Sequence, residues 1–225
     1  MSERHDVIVV GLGAMGAACC HWLARRGVKV LGIERYDLPH AMGSSGGQSR
    51  LIRMAYYEHP DYVPLLRRAY RNWDELGERL GDTIFHRAGL LYLGKPDGFL
   101  VSGVRRASEQ YDVEVESLDR REVAARFPRF RQPEDFGALY EADAGFVLSE
   151  RAIAGHAELA MRDGAELRCR ETVTGWQASS DGVTVTTDRG RYQADRLVFA
   201  AGAWSSKLVT DLGVELQVTR CLLYT

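Results

Sequence analysis

Seventeen residues separate the last glycine of Gly11-x-Gly13-x-x-Gly16 from Glu34. An apolar run over residues 7–10 leads into the glycines. An alanine-rich stretch over 14–26 stops at Gly27, and a second apolar run over 28–33 ends at the acid. This order predicts strand, tight turn, helix, strand and carboxylate, the βαβ unit that receives a dinucleotide. Gly11 turns the chain sharply, Gly13 leaves the pyrophosphate unobstructed, and Gly16 lets the helix lie close to the strands. The helix start offers unpaired N–H groups and a partial positive charge to the phosphates. Glu34 is placed to accept hydrogen bonds from the adenosine ribose hydroxyls. It would repel a 2′-phosphate, which argues against NADP.

The chain has 225 residues, 45% of them apolar, enough for one large domain or two small ones with a sizeable core. Its 29 basic and 31 acidic residues leave a net charge of −2, which offers no footprint for nucleic acid or an anionic membrane. No apolar stretch approaches the roughly 20 residues of a membrane span. Residues 1–6 pass straight into the first strand, so no signal peptide is expected. The four cysteines, Cys19, Cys20, Cys169 and Cys221, lack metal-ligand spacing. No metal site is expected, and a reducing cytoplasm is the expected compartment. The six histidines (His5, His21, His40, His59, His86, His156) are scattered and read as surface or packing residues.

After Glu34 a long loop over 35–47 carries Pro39, Gly43, Ser44, Ser45, Gly46 and Gly47, and loops of this length are usually functional or disordered. Asp61 reads as a helix cap. Tyr62, Leu65, Leu66, Ala69, Trp73, Leu76 and Leu80 fall at helical spacing, with Arg67, Arg68 and Arg71 mostly on the polar side. Asp74, Glu75 and Glu78 lie on that helix's exposed side and form no catalytic pair. From 85 to 140 strand-like pieces at 89–93, 113–117 and 138–141 alternate with polar helical pieces, which predicts an inserted sub-domain. Ser149 reads as the cap of a helix reaching Asp163 and stopping at Gly164. Residues 167–177 read as a strand. The turn signals at 181–182 and 188–190 flank 183–187 and complete a three-strand meander. A buried strand over 196–201 and a turn at Gly202 come next. The domains expected are therefore 1–85 and 142–213 as a split dinucleotide-binding domain, 86–141 as the insertion, and 214–225 as the start of a further segment. The last stretch alternates like a strand without a partner, which reads as a chain that stops early. Trp204 is expected beneath the cofactor. A Rossmann-like α/β domain with a βββ meander, plus part of an inserted α+β substrate domain, is a flavoprotein architecture. It is less typical of a nicotinamide dehydrogenase, where two βαβαβ halves follow one another.

Several stretches together resemble the monomeric sarcosine oxidase and N-methyltryptophan oxidase family, within the D-amino-acid-oxidase-like flavoproteins. They are Asp6-Val-Ile-Val-Val-Gly-Leu-Gly-Ala-Met-Gly16, Glu34-Arg-Tyr-Asp-Leu-Pro-His40, Gly43-Ser-Ser-Gly-Gly-Gln-Ser-Arg50, Arg53-Met-Ala-Tyr56, Tyr62-Val-Pro-Leu65 and Ala200-Ala-Gly-Ala-Trp204. The first block is generic to dinucleotide folds, and the block from Gly43 to Tyr56 is much more specific. The resemblance implies FAD as cofactor. Gly11, Gly13, Gly16 and Glu34 match positions that hold its pyrophosphate and ribose, with Arg35 beside them. Val173 matches a position whose backbone meets the adenine, and Gly202 a glycine near the cofactor. Ser44, Ser45 and Arg50 match the loop beside the flavin ring, and Arg53 matches the arginine that pairs with the substrate carboxylate. Guanidinium suits both arginine roles, because its planar fork matches a carboxylate and it keeps its charge when buried. If 50–56 is one strand, Arg50 and Arg53 point to opposite faces.

The function implied is FAD-dependent oxidation of a secondary amine or N-methyl amino acid to an imine. Oxygen accepts the electrons and hydrogen peroxide forms. Ser45, Gly46 and Met54 stand where sarcosine oxidases carry histidine, so sarcosine itself is not implied. A monomer is expected. Cys221 does not match the family's flavin-tethering cysteine, so no residue here is assigned covalent attachment. The alternatives are an NAD-dependent dehydrogenase built on the same 11–34 unit, and a non-catalytic dinucleotide-binding fragment.

Overall fold

The apolar run before the glycines forms β1 (His5–Val10), the alanine-rich stretch forms α1 (Ala14–Ala24), and the second run forms β2 (Val30–Ile33). In this computed structural model, which describes residues 4–219, the chain falls into two compact units. The first comprises the chain up to Gln48 and again from Ser149, and the second is Ser49–Leu148. From Val7 to Val10 β1 is apolar because it lies inside a parallel sheet with both faces covered. Side chains alternate between those faces. Val7 and Val9 pack with Cys20, Ala24, Val30 and Ala160, whereas Ile8 and Val10 pack with Leu31, Ile33, Val183 and Val185.

The second unit contains β3 (Arg50–Ile52), α2 (Val63–Leu80), β4 (Phe85–Arg87), β5 (Leu90–Gly94), α3 (Phe99–Tyr111), β6 (Glu116–Leu118), α4 (Arg120–Arg126), β7 (Gly137–Glu141) and β8 (Gly145–Val147). They build two antiparallel three-stranded sheets, ordered β3-β8-β4 and β5-β7-β6. The unit is longer than the insertion expected over 86–141. β3 and β4 both pair with β8, Arg50 and Phe85 each lying opposite Val147, so segment 49–85 is tied to the far end of the same unit. β3 ends at Ile52, so the strand expected over 50–56 is only three residues long and Arg53 lies outside it. Arg50 and Arg53 therefore share no strand whose alternation would send them to opposite faces. The expected helix is α2, but it buries Val63, Tyr70, Leu76 and Gly77. Tyr62 and Leu65, placed on its apolar stripe from spacing, are 50% and 67% exposed. Asp61 sits inside a short 3-10 turn, Pro60–Tyr62, rather than capping α2. Asp74 makes a two-pronged ion pair with Arg87 (3.0 and 2.8 Å), and Arg87 Nε also reaches Asp143 at 2.6 Å.

The first unit resumes with α5 (Ser149–Arg162), β9 (Glu166–Arg168), β10 (Val173–Ser179), β11 (Gly182–Thr187), β12 (Arg191–Phe199) and α6 (Ser205–Leu208). Its sheet is ordered β10-β11-β12-β1-β2-β9. The four strands from β12 to β9 are parallel, and β10, β11 and β12 form an antiparallel meander. This is a Rossmann-like α/β fold. The single strand expected over 167–177 is two strands, β9 and β10, at opposite edges of the sheet. The meander's third strand and the last parallel strand are one element: Ala194 pairs with Val183 on one side and His5 on the other. Residues 214–219 carry no strand and are exposed, contrary to the expectation for 214–224, whose remainder lies outside the described residues. Among the described residues no helix is long and apolar enough to cross a membrane.

α1 packs against α5, and that contact buries two histidines. His21 Nδ1 and His156 Nδ1 lie 2.8 Å apart, so one must donate and the other accept. Burial first, then the neighbouring His21, pushes the His156 pKa down from 6.5 to about 4. Above pH 6.5 the ring is neutral in both folded and unfolded chains. Below it the unfolded chain takes a proton that the folded one refuses, so stability falls until about pH 4. The loss expected across that window is on the order of 3 kcal/mol. Urea midpoints measured through the window should fall in the wild type and fall less in His156→Gln. Equal slopes would show that the pair does not titrate as described.

Cys20 is fully buried beneath this helix pair, and burial, with Cys19 beside it, pushes its thiol up to about 12. Both helix cysteines are packing groups; Cys221 lies outside the described residues.

Candidate functional site

Three glycines shape the turn between β1 and α1, each differently. Gly11 has φ +93°, a conformation L side chains rarely adopt, and a Cβ there would stand 2.7 Å from the Ala200 carbonyl oxygen. The turn thus runs against the end of β12, tied by Gly11 N donating to Ile33 O (2.8 Å) and Ala200 N donating to Val10 O (2.8 Å). A Cβ on Gly16 would lie 1.8 Å from the Gly11 carbonyl oxygen, so α1 packs on the turn at a distance no side chain permits. Gly13 differs from both: a Cβ there meets nothing within 4 Å, because the position faces a crevice. Gly13 is also the N-cap of α1, which has no side-chain cap and no acid in its first turn. The helix therefore starts with N–H groups that no side chain of its own cap or first turn engages.

The crevice, about 630 Å³, lies within the first unit. It is lined by Gly11, Gly13, Glu34, Arg35, Ser44, Ser45, Val173 and Gly202, eight of the ten cofactor-binding candidates. Gly16 stands behind the turn as a packing position. Arg50 and Arg53 belong to the second unit.

Glu34 directly follows β2 and is 5% exposed. Its Oε2 accepts from Leu12 N at 2.7 Å and its Oε1 from Tyr36 N at 3.0 Å, with His40 Nε2 at 3.6 Å from Oε1. Each carboxylate oxygen has two lone pairs, so both keep acceptor capacity after these bonds. Two backbone donors hold the acid in place, which is how a buried carboxylate is tolerated.

Five further groups line the crevice wall, and of these only Trp204 was expected near the cofactor from the sequence. His40 and Tyr36 fall inside a block already singled out, and their rings meet tilted by 54° at 5.1 Å between centroids. Trp204 lines the wall and meets Tyr36 edge-on at 6.2 Å. Lys207 adds a cation to that of Arg35. Glu171 is a second buried carboxylate. It accepts from Thr187 Oγ1 at 2.6 Å, while its N–H donates to Glu34 O at 2.9 Å. Its position two residues before Val173 gave no signal, because its partners come from the far end of β11. Two cations at the rim, a bare glycine at a helix start and a seated acid fit a ligand that joins phosphates to a sugar. Among the described residues no group of three His, Cys, Asp or Glu could hold a metal.

In the second unit, Arg50 begins β3 and its Nη1 donates to Ser49 O at 2.7 Å. Arg53 Nη2 reaches both oxygens of Glu58, at 2.8 and 3.0 Å. Its guanidinium lies over the rings of Tyr56 (4.5 Å) and Tyr57 (4.9 Å). Its Nε is buried without a hydrogen-bond partner among the described residues. The turn after Arg53 is held by Glu141, 1% exposed, which accepts from Met54 N (2.6 Å), Ala55 N (3.1 Å) and Tyr92 OH (2.8 Å).

The fold and crevice define a dinucleotide-binding protein of the Rossmann-like class. The chain belongs to the family of FAD-dependent oxidoreductases described as "DAO: FAD dependent oxidoreductase", whose pattern it matches over residues 6–223. It is 43% identical over 224 residues to a monomeric sarcosine oxidase of Streptomyces avermitilis. It is 38% identical over 212 residues to an N-methyl-L-tryptophan oxidase of Citrobacter koseri. These matches cover 100% and 94% of this chain but only 58% and 57% of those proteins. Among solved structures, NikD, an amino acid oxidase of nikkomycin biosynthesis, superposes with a TM-score of 0.85 at 32% identity, over 94% of this chain and 55% of NikD.

Proposed function

We propose that the crevice binds FAD and that the protein oxidises a secondary amine or N-methyl amino acid to an imine, with oxygen as acceptor and hydrogen peroxide as product. The observation that carries the cofactor is the pairing of an unobstructed Gly13 at the start of α1 with Glu34, whose buried carboxylate retains lone pairs. Bound FAD would accept a hydride equivalent from the carbon next to nitrogen; the protein supplies orientation and charge. Gly11, Gly13 and Gly16 shape the phosphate seat, and Glu34 takes the ribose hydroxyls. Arg35, Ser44, Ser45, Val173 and Gly202 complete the wall.

For the substrate, Arg53 is the carboxylate ligand. Support comes from the second unit alone: a guanidinium backed by two tyrosine rings, with an unpartnered buried Nε and an acid, Glu58, already in the position of a carboxylate partner. For Arg50 the family resemblance alone suggests the role of a cation that would favour the reduced, anionic ring. We take the protein to be a cytoplasmic monomer.

Purified protein titrated with FAD tests the cofactor directly. Uptake should give a flavin absorbance that survives desalting, and NAD should not compete. Failure to bind FAD at high concentration would sink the proposal. Glu34→Ala should weaken FAD by about 30-fold, since it removes charge-assisted hydrogen bonds to the sugar, each worth about 1.5–3 kcal/mol. An unchanged affinity would remove Glu34 from the site. Oxygen consumption with N-methyl amino acids tests the reaction.

A further inference from the structure

The chain leaves the first unit after Gln48 and re-enters it at Ser149, and three hydrogen bonds close that junction. Ser149 N donates to Gln48 O at 3.1 Å. Ser149 Oγ donates to Gly47 O at 2.6 Å. Glu150 Oε1 accepts from Gly47 N at 2.9 Å. Ser149 is the first residue of α5, and its hydroxyl proton goes to the loop rather than into the helix.

The segment held in this way is the glycine-rich loop, of which Gly43, Ser44, Ser45 and Gly46 line the crevice. Such a loop is costly to order, because glycine loses more conformational freedom on fixing than any other residue. Gly47 itself has φ +109°. A loop free to move would meet that cost on binding, and affinity would fall accordingly. The insertion of Ser49–Leu148 directly after it makes the problem worse, since a long excursion holds its ends together only weakly. Ile153, one turn further along the same face of α5, also lines the crevice, so one helix both forms part of the wall and anchors the loop.

We propose that Ser149 and Glu150 act as a clasp that preorganises the 43–47 loop for the cofactor, with Glu150 as the principal positioning residue. This rests on the FAD reading above. Neither Ser149 nor Glu150 lines the crevice; the clasp works through the backbone of Gly47.

The test compares FAD and AMP titrations of the wild type, Glu150→Ala, Glu150→Gln and Ser149→Ala, with amide hydrogen exchange at Gly47. AMP reports on the Gly13 and Glu34 end of the crevice, whereas FAD requires the whole wall. Glu150→Ala should weaken FAD about tenfold and leave AMP within about twofold, with faster exchange at Gly47; tenfold corresponds to about 1.4 kcal/mol. Glu150→Gln keeps an acceptor oxygen and should stay near wild type. Ser149→Ala should show a smaller loss of the same pattern. FAD affinity unchanged in Glu150→Ala overturns the clasp, as does an equal loss of AMP and FAD, which would mark general damage to the unit. A wild type that takes up no FAD overturns instead the flavin reading on which the clasp depends.

Discussion

Gly16→Ala is expected to destabilise the dinucleotide unit strongly, while Gly13→Val is expected to leave its fold intact and cripple cofactor uptake. The two positions lie three residues apart in one motif, yet the added atoms meet opposite surroundings. At Gly16 a Cβ would stand 1.8 Å from the Gly11 carbonyl oxygen and 3.2 Å from the Ala200 Cβ. The blocking atom is backbone, and Gly11 cannot retreat, since its own position is wedged against the Ala200 carbonyl. α1 would have to lift from the sheet and expose the apolar layer it shares with Val7, Val9 and Val30. Overpacking of this kind costs about 3 kcal/mol or more. For a chain of this size that corresponds to a fall in Tm of roughly 10 °C. At Gly13 the added atoms enter open space and the backbone φ of −65° suits any residue, so apo-protein Tm should move by less than about 2 °C. They occupy the approach to the helix N–H groups, and FAD affinity should fall more than about 100-fold, a loss of roughly 2.7 kcal/mol or more. Calorimetry and FAD titration of the two variants read both effects. A Gly16→Ala protein that melts with the wild type, or a Gly13→Val protein that binds FAD normally, would refute this account of the motif.

The second large effect is expected in the other unit. Glu141 is 1% exposed with no basic group among the described residues bonded to it, and it is sustained by the N–H groups of Met54 and Ala55 and the hydroxyl of Tyr92, with Tyr70 OH at the 3.5 Å limit. Burial, with the Glu141 charge second, holds both tyrosine pKa values well above the usual range, so their hydroxyls stay protonated donors. Glu141→Ala strands two backbone donors and a hydroxyl in an apolar interior. Each unsatisfied group costs about 1–3 kcal/mol, and about 3–5 kcal/mol in all is the expected loss. Glu141→Gln should lie between, because its amide nitrogen would face one donor with another. The segment released is the one that carries Arg53, Tyr56 and Tyr57, so increased hydrogen exchange at Met54 and Ala55 should accompany the loss. Urea denaturation showing Glu141→Ala within about 1 kcal/mol of wild type would mean that the carboxylate is not seated as described.

The βαβ unit was legible because its signals are local. A strand's apolar run, a glycine that must turn and an acid at the end of the next strand are read within thirty-odd residues, and the family blocks extended that reading to Ser44, Ser45, Val173 and Gly202. Glu141 and Glu171 were not legible. Each is an ordinary acid in sequence, and each matters through donors far away along the chain. The pairing of His21 with His156 escaped for the same reason, as did the clasp of Ser149 and Glu150 on Gly47. The extent of the second unit was missed because β3 and β4 find their common partner, β8, only after the chain has crossed most of that unit. Spacing also misplaced the buried face of α2, since periodicity names a stripe but not which neighbours cover it.

By itself the sequence of this protein determined the class of fold, the turn chemistry of the three glycines and the family, because backbone conformations, alternation of burial and short motifs are properties of neighbouring residues. The tertiary structure alone decided which carboxylates are buried and bonded, which loop is held and by what, and which strands pair. Those outcomes depend on groups far apart along the chain, whose desolvation is tolerated only where folding brings their donors and acceptors together.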